Sequence, residues 1–172
     1  MRASALSRAF VVVRGLLYSY GFVLLWAWLA ISIRPLDARL AVTIPAWLAP
    51  LGFLFAVAGA LLAALCIGVF VTAGRGTPAP FDPPRVFVAI GPYRWVRNPM
   101  YLGAAAVLLG AGLMVESPSV VLLAIAFLAM AHVLVILYEE PALSARFGDG
   151  YERYKASVHR WLIRRPGSHG PP

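Results

Sequence analysis

The sequence predicts an all-α polytopic membrane protein of about four transmembrane helices with a C-terminal interfacial amphipathic helix. Three observations predict it. Hydrophobic residues make up 61% of the 172 residues and charged ones only 13%, against about 45–50% apolar in soluble domains. The apolar residues fall in long uncharged runs of membrane-crossing length. The net charge of +8 comes from fifteen basic residues, fourteen of them arginine, and these collect between the runs rather than over a soluble face. Such a composition excludes a disordered chain. The single cysteine, Cys66, excludes an internal disulfide framework and a multi-thiolate metal site. The length fits one membrane domain, 1–172.

Residues 1–73 are expected to hold two spanning helices. Gly15–Ile33 is nineteen residues without a charge, bounded by Arg14 and Arg34, and as a helix it rises about 28 Å. A signal peptide is the competing reading, since Arg2, Arg8 and Arg14 precede the run. The apolar part is too long for one, and Trp26, Trp28 and Leu29 spoil a small-residue cleavage site, which favours a retained anchor. In the next run, Pro45 and Pro50 break the beginning, so the second span is placed at Leu51–Ala73. The segment 74–99 is expected to be a cytoplasmic motif loop, because glycines and prolines from Gly74 to Pro84 forbid a helix. Residues 100–138 read as a helical hairpin, Met100–Val115 and Pro118–Tyr138, turning at Glu116. Asn98-Pro99 and Ser117-Pro118 each set a capping residue before a proline suited to the first helical position. Gly103, Val107, Gly110 and Met114 recur at helical spacing and predict close helix packing.

Arginine and lysine positions set the expected topology. With the N-terminus in the cytoplasm, thirteen of them lie inside and only Arg34 and Arg39 outside, a strong positive-inside bias. Both termini and the site are then cytoplasmic, in an inner or plasma membrane. Anionic headgroups account for the basic charge without nucleic acid.

The unusual residues lie outside the spans. Tyr93, Trp95 and Tyr101 alternate with arginines, a pattern that suits interfacial anchoring. Glu139 and Glu140 stand together before Pro141, at what reads as the end of the fourth span. Carboxylates there oppose the helix dipole and are costly near hydrocarbon without a positive partner. One of them can pair with Arg94 or Arg97, but adjacent side chains diverge by about 100° and rarely share one partner. A bound cation or an amine-bearing ligand is the sharper reading. His132 lies seven residues earlier, two turns along the same face, and suits a hydrogen bond to a neighbouring helix. In the tail, 139–165, Phe147-Gly148 breaks the chain and Asp149 is a plausible cap. Tyr151, Tyr154, Val158 and Trp161 then share one helical face, as in a helix lying on a membrane surface. No metal-ligand spacing is present.

The run from Gly91 to Gly103 (GPYRWVRNPMYLG), the tetrapeptide Tyr138-Glu139-Glu140-Pro141 and the segment Phe147–Tyr154 (FGDGYERY) resemble three ordered motifs of a known superfamily. It is that of the integral-membrane S-adenosylmethionine-dependent methyltransferases, which includes the isoprenylcysteine carboxyl and phosphatidylethanolamine methyltransferases. The resemblance covers about residues 74–165 and implies S-adenosylmethionine held between the last helices and the tail. It implies cofactor-binding roles for Gly74, Gly76, Tyr93, Pro99, Glu139, Glu140, Tyr151, Tyr154 and Arg160. It places Arg97, Asn98 and Tyr101 at the catalytic segment. Asn98 stands where many members have histidine, and His159 where a proline often precedes the tail arginine. The cofactor's ammonium suits a carboxylate pair, its carboxylate a bidentate arginine such as Arg97 or Arg160, and its sulfonium an aromatic face such as Tyr93, Tyr101 or Tyr154.

The expected partners are membrane lipids and a lipophilic methyl acceptor, either an isoprenylcysteine-type carboxylate or a phospholipid amine. Two other functions compete. An NADPH-dependent membrane reductase of the sterol-reductase type has a similar C-terminal half, but Leu102-Gly103-Ala104 lacks the acidic residue that often follows the glycine there. A non-catalytic lipid-binding bundle would bind neither cofactor.

Overall fold

The computed structural model describes residues 2–70, 72 and 87–163. Every regular element among them is helical: α1 (Arg2–Ile33), α2 (Ala49–Val69), α3 (Pro99–Met114), α4 (Pro118–Leu134), α5 (Glu140–Phe147) and α6 (Asp149–Ser157), with short 3-10 turns at Arg34–Arg39, Ala46–Leu48 and Gly91–Arg94. Three helical stretches are long and apolar enough to cross a membrane, Tyr20–Arg39, Ala46–Val69 and Pro118–Phe147. The expected third span is α3, whose 16 residues rise about 24 Å, less than the ~30 Å hydrocarbon layer. The glycine- and proline-rich loop lies outside the described residues.

The chain divides into two compact units, one of Met1–Tyr20, Ala64–Pro99 and Leu134–Pro172, the other of Gly21–Ala63 and Met100–Val133. In the second unit, α2 and α3 meet at glycines. A Cβ on Gly52 would lie 2.7 Å from the Gly110 carbonyl oxygen, and one on Gly103 would lie 2.8 Å from that of Gly59. Gly52 therefore faces Gly110 while Gly59 faces Gly103, a register only antiparallel helices can have. The glycines are two turns apart on each helix, so the backbones touch along one stripe. This is the close packing that the spacing of Gly103 and Gly110 predicts. Phe127 on α4 is fully buried and meets Trp26 edge-on at 4.8 Å between ring centroids, with Phe22 and Tyr101 further round.

The hairpin between α3 and α4 turns in three residues. Ser117 N–H donates to Gly112 O at 2.9 Å and Glu116 N–H to Leu113 O at 3.4 Å. These are the two bonds of a Schellman motif, with Glu116 in the left-handed conformation (φ 53) usually given to glycine. Pro99 and Pro118 open their helices as predicted. Ser117 Oγ accepts the Val120 N–H at 3.3 Å and donates to Asp37 Oδ2 at 2.6 Å, while Asp37 Oδ1 accepts the Ser119 N–H at 2.8 Å. A carboxylate from the 3-10 turn after α1 thus completes the cap of α4. Asp37→Ala strands buried donors on Ser117 and Ser119 and is expected to cost about 1–2 kcal/mol. The check is a thermal unfolding midpoint in detergent lower by about 3–6 °C, with Asp37→Asn, which keeps one acceptor, losing less.

The fourth span does not close at Tyr138. Val135–Glu139 forms a π turn in which the Glu140 N–H reaches back to Val135 O, and the helix continues as α5. Pro141, expected to end the helix, is accommodated because the wider turn takes up the carbonyl that a regular helix drives against the proline ring. The break comes at Gly148, whose φ 53, ψ −132 only glycine adopts without strain. Asp149 is then the first helical residue of α6 rather than its cap. The apolar face of α6 was expected to lie on the membrane. Instead Tyr151, Tyr154 and Val158 are buried against Phe87, Ala89, Leu143 and Phe147, and Trp161 lies beyond the helix.

Candidate functional site

The first unit collects most of the residues the motifs single out. Gly91 opens the 3-10 turn with φ 59, its Cα facing Val69, and this turn buries Tyr93. The Tyr93 ring meets Phe70 edge-on at 5.4 Å. Burial holds its phenol well above the usual range, and the neighbouring Cys66 thiol adds to the shift. The Tyr154 hydroxyl donates to the Tyr93 carbonyl at 2.7 Å. Phe87 stands among Phe147, Tyr151 and Tyr154 at 5.1–5.9 Å. The tail tyrosines are thus held mainly by each other and by Phe87.

Past α6 the chain extends and is stitched to the segment before α3. The Arg97 N–H donates to His159 O at 2.9 Å, and Asn98 Nδ2 donates to Arg160 O at 3.3 Å. Asn98 therefore fastens the tail. Pro99 is fully buried beside it. These bonds bring Arg160 onto Glu140, where Nε donates to Oε1 at 2.7 Å and Nη2 to Oε2 at 2.9 Å. Arg97 Nη1 lies 3.1 Å from the same Oε1. The Glu140 side chain is only 12% exposed and that of Arg97 11%. Glu140 is therefore neutralised by two guanidiniums, one more than the single arginine partner weighed from sequence.

Arg97 is only partly satisfied in return. Its side chain hydrogen-bonds Tyr151 and Nη1 lies at ion-pair distance from Glu140, but Nε and Nη1 are buried without a hydrogen-bond partner. Tyr151 lies close by. Burial pushes its phenol up to about 12, the Glu140 charge adding and Arg97 opposing, so it stays protonated at neutral pH. Burial likewise raises Tyr154, and the hydrogen bonds to Glu140 raise Arg160. Glu139 is partly exposed, and its charge is felt at Tyr93 and Tyr151.

Tyr101 falls in the other unit, packed on Phe127. Gly74 and Gly76 lie outside the described residues. The seven residues from His132 to Glu139 do not count two regular turns, because the π turn Val135–Glu139 lies between them. Sequence reasoning missed Phe87 as the hub of the tail cluster and the His159 carbonyl as an anchor. An aromatic in a short apolar run was the only signal for the first, and a backbone acceptor gives none.

A model of the phospholipid methyltransferase family matches residues 51–150. The chain is also similar to an uncharacterized protein of Haemophilus influenzae, 38% identical over 63 residues that cover 37% of this chain and 100% of that one. No solved structure matches it. The family match takes in well over half the chain, from α2 through the hairpin and the paired acids to the start of α6, and the chain belongs to the phospholipid methyltransferase family.

Proposed function

We propose that this chain is an integral-membrane enzyme that moves a methyl group from S-adenosylmethionine to the amine of a phospholipid. In this reading the chain crosses the membrane four times, with the shorter α3 shielded by its neighbours, and the site and both termini face the cytoplasm. Family membership supports the reaction class and the lipid acceptor. The positive-inside distribution of arginines supports the orientation.

One observation carries the cofactor assignment, the buried Arg97 guanidinium with two unpaired nitrogens. Leaving such donors unpaired costs about 1–3 kcal/mol or more, and an α-carboxylate is a ligand group whose charge-assisted hydrogen bond satisfies one of them, Nε, on the edge of the guanidinium away from Nη1. When bound, S-adenosylmethionine supplies a methyl group on a sulfonium, activated without help from the protein. The chain's own part is orientation. Arg97 grips the carboxylate end, Glu139 faces the ammonium, and the buried tyrosines keep water from the reacting end while offering π faces to the sulfonium. An amine acceptor must also lose a proton to a base before it attacks.

Equilibrium binding to detergent-purified protein, followed by incubation with methyl-labelled cofactor and native lipid extract, tests the reading. S-adenosylmethionine is expected to bind, NADPH not, and the label to appear in amine-bearing phospholipids. Label on an isoprenylcysteine carboxylate moves the assignment to that acceptor. NADPH binding instead favours a reductase, and binding of neither a lipid-binding bundle.

A further inference from the structure

The two adjacent acids are not in equivalent positions. Glu140 has both oxygens engaged by the Arg160 fork, at 2.7 and 2.9 Å, with Arg97 Nη1 at 3.1 Å from Oε1. A carboxylate offers about four lone-pair sites, and a bidentate fork together with a second guanidinium leaves little for an ammonium. Arg97 is held from two directions, by Glu140 and by its own N–H on the His159 carbonyl, while its Nε and Nη1 stay buried and unpaired. Glu140 therefore fixes where those donors stand.

We propose that Glu140 is a positioning residue: through its ion pairs with Arg160 and with Arg97 Nη1 it aims the unpaired Arg97 Nε donor at the carboxylate end of the methyl donor, and it does not contact the ammonium. This assignment rests on the S-adenosylmethionine reading above. It divides the acidic pair into one residue that faces the ligand's cation and one that builds the receptor for its anion.

The test compares binding of S-adenosylmethionine with that of its decarboxylated analogue, which keeps the amine and the sulfonium, to intact purified protein. Wild type is expected to prefer the carboxylate-bearing ligand by about tenfold or more. In Glu140→Gln that preference is expected to shrink to within about threefold, with affinity for the analogue nearly unchanged. In an Arg97→Gln background the further change Glu140→Gln is expected to add nothing to the ratio. Equal loss of both ligands in Glu140→Gln overturns the proposal, because a direct contact with the ammonium is shared by both. If Glu140→Gln lacks a cooperative thermal transition, Glu140→Asp keeps the charge and shortens the arm. The same ratio is read there, with partial loss of preference supporting the proposal and equal loss of both ligands overturning it. Wild type binding both ligands without preference sinks the positioning role alone, and wild type binding neither sinks the cofactor reading and this assignment together.

Discussion

Arg97→Gln is expected to weaken S-adenosylmethionine binding by about ten- to a hundredfold and to lower methyl transfer at least as much. Hydrogen bonds to a charged group are worth about 1.5–3 kcal/mol, and each 1.4 kcal/mol is a factor of ten. The variant is expected to fold, because Glu140 keeps both bonds to Arg160 and no carboxylate is stranded. Its thermal midpoint should stay near that of wild type while the affinity measured by titration collapses. Arg97→Lys is expected to fail as well, since an ammonium on a flexible stem does not reproduce the fixed direction of a guanidinium N–H. Near-normal binding by either variant would remove Arg97 from the ligand site.

The double substitution Gly59→Ala with Gly110→Ala is expected to be the most destabilising change outside the site. A Cβ at Gly59 would run into the Gly103 carbonyl oxygen and lie 2.9 Å from Ala106 Cβ, and one at Gly110 would run into the Gly52 carbonyl oxygen and lie 2.6 Å from Ala56 N. The atoms in the way are mostly backbone, so the helices must separate. Overpacking of this kind costs about 1–3 kcal/mol per site, and for a chain of this size the pair should lower the unfolding midpoint by roughly 10 °C. Gly21→Ala is the control. Nothing lies within 4 Å of a Cβ there, and a helical glycine replaced by alanine gains up to about 1 kcal/mol, so that midpoint should hold or rise.

Much of the helical framework was legible because its signals are local. A proline behind an asparagine or a serine marks where α3 and α4 begin, and Gly103 and Gly110 mark a close approach. What they approach was not legible, since Gly52 and Gly59 sit in an unbroken apolar run that shows no preferred face. The cap from Asp37 joins residues 80 apart and leaves no trace in local spacing. Glu116 adopts a left-handed conformation that its residue type does not announce. Pro141 reads as a stop, and only the backbone shows that a π turn carries the helix past it.

At the site, the residue types were legible and the pairing was not. The motifs singled out Arg97, Glu140, Arg160 and the tail tyrosines. Spacing along the chain could not reveal that Arg160 would close on Glu140 and so leave the Arg97 donors unsatisfied. The tail tyrosines form an apolar stripe whose pattern suits a membrane surface as well as a protein interior. Phe87 and Phe147, packed against that stripe, decide for the interior.

The stitching of the tail bears on the order in which this protein assembles. Asn98 waits for a carbonyl 62 residues downstream and Tyr93 for a hydroxyl 61 downstream, whereas the α3–α4 turn closes between residues only five apart. A ribosome releases the hairpin first, and it can settle in the bilayer while the tail is still being made. The pair on Glu140 closes later, only once Arg160 emerges and locks onto a carboxylate laid down 20 residues before it.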